Sequence, residues 1–169
     1  LKKWKGCDIF KLNSSEAKEL SSLENITDQI NYIQNQINCK YVIVTNEGNG
    51  FYFKELYKEL IIYSPVRKNN EVNNVIGAGD LFAALIAKFT CVKKTVYESC
   101  VMAFAGCTEY VKSHCNYPIT DYEILKQIDK SKAKIIKLFD FFYLKSRKFK
   151  DKKIVFTNGC FDIIHSAHV

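Results

Sequence analysis

A chain of 169 residues, 47% hydrophobic and 14% aromatic, is long enough for one domain with a buried core or for pieces of two, and too apolar for a disordered segment. The net charge of +7 comes from lysines scattered along the chain, with one denser run from Lys145 to Lys153. No nucleic-acid-reading module accompanies that run, so it reads as a solvated helix end or linker, and neither nucleic acid nor membrane is an expected partner.

The chain opens on Leu1, stops at Val169 inside an apolar run, and holds no apolar stretch long enough to span a bilayer and no basic-then-apolar leader. A soluble cytoplasmic protein cut at both ends is the expectation. The seven cysteines are an odd set without a Cys-x-x-Cys pair, which indicates buried free thiols and neither a disulfide framework nor a zinc site.

In chain order, Cys7–Leu12 predicts a short strand, and Asn13 with Glu16 three residues on predicts a capped helix whose apolar face is Leu20 and Leu23. Ile26, Ile30, Ile33 and Ile37 recur at helical spacing and predict an amphipathic helix capped at Thr27. The unbroken apolar run Tyr41–Thr45 is a strand of the kind buried in a parallel sheet. Asn46–Gly50 then turns the chain into Phe51–Phe53, and Leu60–Tyr63 is a further strand. Strands alternating with helices point to an α/β architecture, with ligands at the carboxyl ends of the strands.

A polar loop from Arg67 to Asn73 leads to Asn74-Val75-Ile76-Gly77-Ala78-Gly79-Asp80, which runs directly into an apolar helix containing Phe82 and Phe89. Small residues at 77 to 79 let the backbone turn so that successive N–H groups and the positive end of the helix converge on one spot suited to an anion such as phosphate. A carboxylate beside a phosphate needs a task, and taking the proton of an attacking hydroxyl is the natural one for Asp80. A plain turn followed by an acid that suits the helix dipole accounts for the same residues.

A second long helix is expected from about Thr95 to Lys112, a third from Asp121, and a fourth through Ile135, Leu138, Phe139, Phe142 and Tyr143. The basic stretch 145–152 is the expected boundary between a domain at 1–144 and a new segment at 153–169, which opens with the strand Ile154–Thr157. His165 and His168, three apart, would lie on one helical face as a phosphate clamp, a metal pair or neither.

Gly77-Ala78-Gly79-Asp80 before a small-residue helix resembles the anion-hole signature of the ribokinase-like (PfkB) sugar kinases, and the resemblance implies the C-terminal half of their three-layer α/β sandwich. It implies Gly77, Ala78 and Gly79 as the anion hole, Asp80 as the catalytic base, and ATP with Mg2+ as cofactors. Lys11-Leu12-Asn13-Ser14-Ser15-Glu16 is similar to the family's Lys-Pro-Asn-x-x-Glu element, which implies Asn13 and Glu16 on the magnesium side. Helix capping alone explains that pair equally well. Thr45, Gly48 and Gly50 resemble the family's ATP-holding Val-Thr-x-Gly-x-x-Gly stretch, with Thr45 and Gly48 along the nucleotide.

Departures from the family pattern are Asn74 for an Asp, Ile76 for a Thr, Phe104 for an Asn near the adenine, and Cys115 for a Gly. Thr157-Asn158-Gly159-Cys160-Phe161-Asp162 followed by His165-Ser166-Ala167-His168 is similar to the opening strand and His-x-Gly-His motif of the cytidylyltransferase-like nucleotidyltransferases, with Ala167 at the middle Gly. That implies the first strand of a Rossmann-like domain, with both histidines on nucleotide phosphates. The order of the two signatures resembles the bifunctional heptose 7-phosphate kinase/heptose 1-phosphate adenylyltransferases of ADP-heptose synthesis. The implied partners are a small sugar phosphate and ATP, with a homodimer compatible.

Overall fold

The computed structural model describes residues 1–63, 72–113, 118–128, 138–147 and 149–154. The chain divides into two compact units, Leu1–Ile135 and Ile136–Val169.

In the first unit β1 (Ile9–Asn13) hands over directly to α1 (Ser14–Ser21), because Asn13 ends the strand and caps the helix. Its side-chain oxygen accepts the Glu16 N–H at 2.8 Å and the Glu16 carboxylate accepts the Asn13 N–H at 2.7 Å, a reciprocal capping box. α2 (Ile26–Ile37) carries the isoleucine stripe, with Ile30, Ile33 and Ile37 fully buried. Its cap is Asn25 and not Thr27. The Asn25 side-chain oxygen accepts from the N–H groups of Thr27 and Asp28, so Thr27 already stands inside the helix.

β2 (Tyr41–Thr45) pairs parallel with β1, Ile9 opposite Tyr41 through Asn13 opposite Thr45. A 3-10 turn at Glu47–Asn49 then folds β3 (Phe51–Glu55) back antiparallel, and β4 (Leu60–Tyr63) adds antiparallel to β3. The sheet order is β1-β2-β3-β4, so the sheet is mixed and not parallel throughout. The reason is the short connection after Thr45, which can only make a hairpin. Gly50, at φ 113° and ψ −146°, is the turn residue whose backbone demands glycine, whereas Gly48 has no positive φ.

Period-2 alternation gives β2 two buried faces. Val42 and Val44 join Leu12, Ala17, Ile30, Ile33 and Ile37 on the side of α1 and α2. Ile43, with Phe51 and Phe53, packs instead against Phe82, Leu85, Phe89, Cys100, Phe104 and Ile124 of α3 (Ala78–Cys91), α4 (Val96–Tyr110) and α5 (Asp121–Ile128). The result is a three-layer α/β/α sandwich. α4 starts on a capping box of Thr95 and Glu98. Gly106 sits where α4 meets its neighbours, since a methyl there would lie 2.6 Å from Leu85 Cδ1 and 3.3 Å from Ile124 Cγ1.

In the second unit α6 (Leu138–Arg147) takes in the first residues of the basic run, so positions 145 to 147 are helical. No helix among the described residues is long and apolar enough to cross a membrane. The expected strand Ile154–Thr157 and the motif through His165 and His168 fall on residues 155–169, outside the described residues, apart from Ile154 itself.

Candidate functional site

The carboxyl ends of β1 and β2 are tied together by short side chains. Thr45 Oγ1 donates to the Leu12 carbonyl at 3.2 Å, and Ser14 Oγ donates to the Thr45 carbonyl at 3.0 Å. Asn13 and Thr45 are register partners at this edge. Thr45 therefore ends β2 with its proton already given to β1.

On β1, Leu12 faces the α1–α2 layer, so Lys11 one residue earlier faces the opposite way, toward α3. Its Nζ lies 3.2 Å from where a methyl on Gly79 would sit. The positive end of a helix repels a neighbouring cation by about 0.3–1 kcal/mol, so an ammonium beside the start of α3 marks a place that an anion would stabilise from both sides. Lys11 opens the Lys-Leu-Asn-Ser-Ser-Glu element, whose resemblance implies roles only for Asn13 and Glu16. The signal was available in the strand alternation, but its distance from Gly79 is tertiary.

Gly77 caps α3 in the left-handed region at φ 78° and ψ 0°. Ala78 N–H donates to the Val75 carbonyl at 3.2 Å, while the Gly77, Gly79 and Asp80 N–H groups find no acceptor among the described residues. Of the expected anion hole, Ala78 is thus partly committed to its own turn, and Gly77, Gly79 and Asp80 supply the open donors. The Asp80 side chain is exposed, in the first turn of α3. A carboxylate in that position can both accept a proton from a bound hydroxyl and favour the helix dipole.

The loop carrying these groups is bound to the end of α4. Asn73 and Asn74 N–H both donate to the Val111 carbonyl, and Asn73 Nδ2 donates to the Lys112 carbonyl at 2.7 Å. Tyr110 Oη donates to the Ile76 carbonyl at 2.8 Å, and Cys107 Sγ donates to the Ala78 carbonyl at 3.4 Å. Burial pushes the Cys107 thiol up to about 12, with Lys11 pulling weakly the other way, so the sulfur keeps its proton. Asn74 Oδ1 accepts from Ile76 N–H at 3.0 Å.

Among the described residues no group of three or more His, Cys, Asp or Glu side chains could hold a metal ion. Asn13 Oδ1 and Glu16 Oε2 are engaged in the capping box, which leaves the exposed Glu16 one further carboxylate oxygen. That donor set suits Mg2+, which takes one or two carboxylates and is otherwise held by water and substrate phosphates. Gly48 lies exposed in the turn after Thr45. A groove of about 610 Å3 runs along the outer edge of β1, lined among others by Trp4, Phe10, Lys11, Glu16 and Leu20. Phe104 does not face an open cleft. It is buried against Phe51 and Tyr63, its ring centroid 6.1 Å and 5.7 Å from theirs.

The pfkB family carbohydrate kinase profile matches residues 1–111. The chain is 30% identical over 172 residues to a protein of Campylobacter jejuni (strain RM1221) named Bifunctional protein HldE, covering 99% of this chain and 36% of that one. It is 30% identical over 150 residues to the Helicobacter pylori (strain J99) protein of the same name, covering 89% and 31%. The chain therefore spans about a third of the length of these relatives. Among solved structures, ribokinase of Arabidopsis thaliana complexed with ribose and ATP superposes with a TM-score of 0.63 at 23% identity, over 72% of this chain and 41% of that one. Phosphofructokinase-2 of Escherichia coli in complex with potassium gives 0.64 at 16% identity, over 76% and 42%. At those identities the likeness is one of fold, and the fold is ribokinase-like.

Proposed function

The chain belongs to the pfkB family of carbohydrate kinases, and from that premise we propose that residues 1–144 are the C-terminal half of an ATP-dependent sugar kinase in a bifunctional kinase/nucleotidyltransferase. Residues 145–152 then form the link, and 153–169 begin the second domain, with His165 and His168 on nucleotide phosphates. The sugar substrate is D-glycero-β-D-manno-heptose 7-phosphate, phosphorylated at its anomeric hydroxyl, and the product is afterwards joined to AMP as ADP-heptose. This reading draws on the order of the two motifs and on the bifunctional relatives matched along nearly the whole chain.

The observation that carries the kinase half is the meeting of Lys11 Nζ with Gly79 at the open start of α3, beside an exposed Asp80. In the proposed reaction the Gly77, Gly79 and Asp80 amides and the Lys11 ammonium hold the transferring phosphoryl group. Asp80 takes the proton of the sugar hydroxyl as its oxygen bonds to the γ-phosphorus, and ADP leaves. Thr45 and Gly48 lie along ATP. Mg2+, when bound, neutralises phosphate charge, and Glu16 is the residue of the Asn13–Glu16 pair with an oxygen left to hold it. The groove along β1 lies next to Lys11 and Glu16, which suits a sugar-bearing element added at that edge.

The 169-residue chain alone should bind ATP weakly, in preference to adenosine, and turn over no sugar. Calorimetric titration with each ligand, followed by incubation with ATP, magnesium and heptose 7-phosphate, tests this. Equal binding of ATP and adenosine would remove the phosphate reading. Turnover that disappears in Asp80→Ala would establish the base and remove the partial-chain reading.

A further inference from the structure

The peptide unit between Ile76 and Gly77 is the last before α3, and it stands outside the helix's own hydrogen bonding. Its neighbours are held locally: the Val75 carbonyl accepts from Ala78 N–H, and Ile76 N–H donates to Asn74 Oδ1. The Ile76 carbonyl, by contrast, is held from 34 residues away by the hydroxyl of Tyr110. Tyr110 is only 5% exposed, near the end of α4, and its oxygen lies 3.3 Å from where a Gly77 methyl would sit.

A trans peptide is rigid and points its C=O and its following N–H in opposite directions, and this chain has no cis bonds among the described residues. Whatever pulls the Ile76 carbonyl toward α4 therefore turns the Gly77 N–H away from it. The Cys107 thiol acts more weakly in the same sense two residues on, at Ala78. By donating to the Ala78 carbonyl it reinforces a peptide whose other end is the Gly79 N–H.

We infer that Tyr110 is a positioning residue for the phosphate grip: its buried hydroxyl, supported by the Cys107 thiol, aims the Gly77 and Gly79 amides outward at the start of α3. The inference rests on the kinase reading above and assigns to α4 a task that none of the sequence motifs contains. Without the hydroxyl, Gly77 is free to rotate its preceding peptide, since glycine places no steric bar on doing so. The Gly77 amide would then point at a bound phosphate only part of the time.

The test is Tyr110→Phe in the 169-residue chain, which removes one oxygen and keeps the ring that fills the core. ATP binding should weaken about tenfold while adenosine binding stays unchanged, and amide exchange should quicken at Ile76 and Ala78, whose N–H groups are bonded within this turn. Equal weakening of both ligands would mean a general loss of structure, and unchanged ATP binding with unchanged exchange would mean that the hydroxyl aims nothing; either overturns the proposal. A wild-type chain that binds ATP no better than adenosine defeats the phosphate reading itself, a different result from a variant that matches a discriminating wild type, and it overturns the purpose given to Tyr110 as well. Should the variant fail to fold, the Tyr110 hydroxyl proton of the wild type decides. A slowly exchanging resonance with a contact to the Ile76–Gly77 peptide is expected, and its absence overturns the assignment.

Discussion

Three glycines that differ in only two respects give a graded test of the turn before α3. Gly48 has no positive φ and open space where a methyl would go, Gly6 has φ 81° and equally open space, and Gly77 has φ 78° with Tyr110 Oη 3.3 Å from the methyl position. Replacing Gly48 by Ala should change stability by less than about 0.5 kcal/mol, or raise it slightly by stiffening the unfolded chain. At Gly6 the left-handed backbone costs an L-residue about 1–2 kcal/mol, less about 0.5 regained from the unfolded state, for a net loss of about 1 kcal/mol. Gly77→Ala adds the crowding of Tyr110, which can retreat only by loosening a part-buried hydrogen bond worth about 1 kcal/mol, so its loss should be about 2 kcal/mol. With a urea slope of about 2 kcal/mol/M, the midpoints should fall by roughly 0, 0.5 and 1 M for the three variants. Equal losses at Gly6 and Gly77 would show that Tyr110 yields at no cost. A loss at Gly48 as large as the others would refute the backbone argument altogether.

Asn25→Ala should lower stability by about 1 kcal/mol in urea unfolding, and Thr27→Ala by much less, because the side chain of Asn25 caps α2. Lys88→Ala breaks an ion pair with Asp121 whose side chains are 47% and 36% exposed, so thermal unfolding should register less than about 0.5 kcal/mol. Iodoacetamide at pH 8 should label the exposed Cys91 in minutes and spare Cys39 and Cys100 until the chain unfolds, as peptide mass mapping would show. Burial raises the Cys100 and Cys107 thiols from 9.0 to about 12. The unfolded chain therefore sheds these protons first, and the stability they contribute is complete below pH 9 and drains away as pH climbs toward 12, which a series of urea midpoints above pH 8 would reveal. Lys11→Met should weaken ATP binding and leave adenosine binding alone, which calorimetry can separate.

The elements whose signal is local were legible in the sequence. Asn13 and Glu16 are three residues apart and form the capping box that their spacing announces, and the isoleucines of α2 are buried at the spacing that periodicity requires. Thr27 is a good capping residue two positions late, and the extended backbone of Asn25, at φ −81° and ψ 128°, together with the bonds its side chain accepts, distinguishes the two. Gly48 and Gly50 look interchangeable as letters but differ in φ and in burial, Gly48 being exposed and Gly50 buried. The parts of the site that escaped the sequence are the long-range ones. Lys11 meets Gly79 across the sheet-to-helix interface, and Tyr110 reaches Ile76 over 34 residues of chain. No periodicity or spacing rule connects such pairs, because the first link is made by the packing of α3 on the sheet and the second by the packing of α3 against α4.

That packing also explains how the departures at Asn74 and Ile76 can coexist with an intact turn. Asn74 retains an oxygen, and the structure uses it to receive the Ile76 N–H, a bond that an Asp would make equally well. The side chain of Ile76 is 74% exposed, while its carbonyl is the group bonded to Tyr110. At position 76 it is therefore the main chain that shapes the site, and exchanging a Thr for Ile removes a hydroxyl from the surface without disturbing the peptide that orients Gly77. The lost charge at 74 and the lost hydroxyl at 76 both subtract from the capacity to hold a cation beside the turn. Neither touches the amides of Gly77, Gly79 and Asp80 or the Lys11 ammonium, the groups proposed to receive an anion. Anion binding and cation binding at this loop are thus physically separable, and restoring Asn74→Asp with Ile76→Thr should raise the dependence of ATP binding on added cations while leaving the preference for ATP over adenosine where it was.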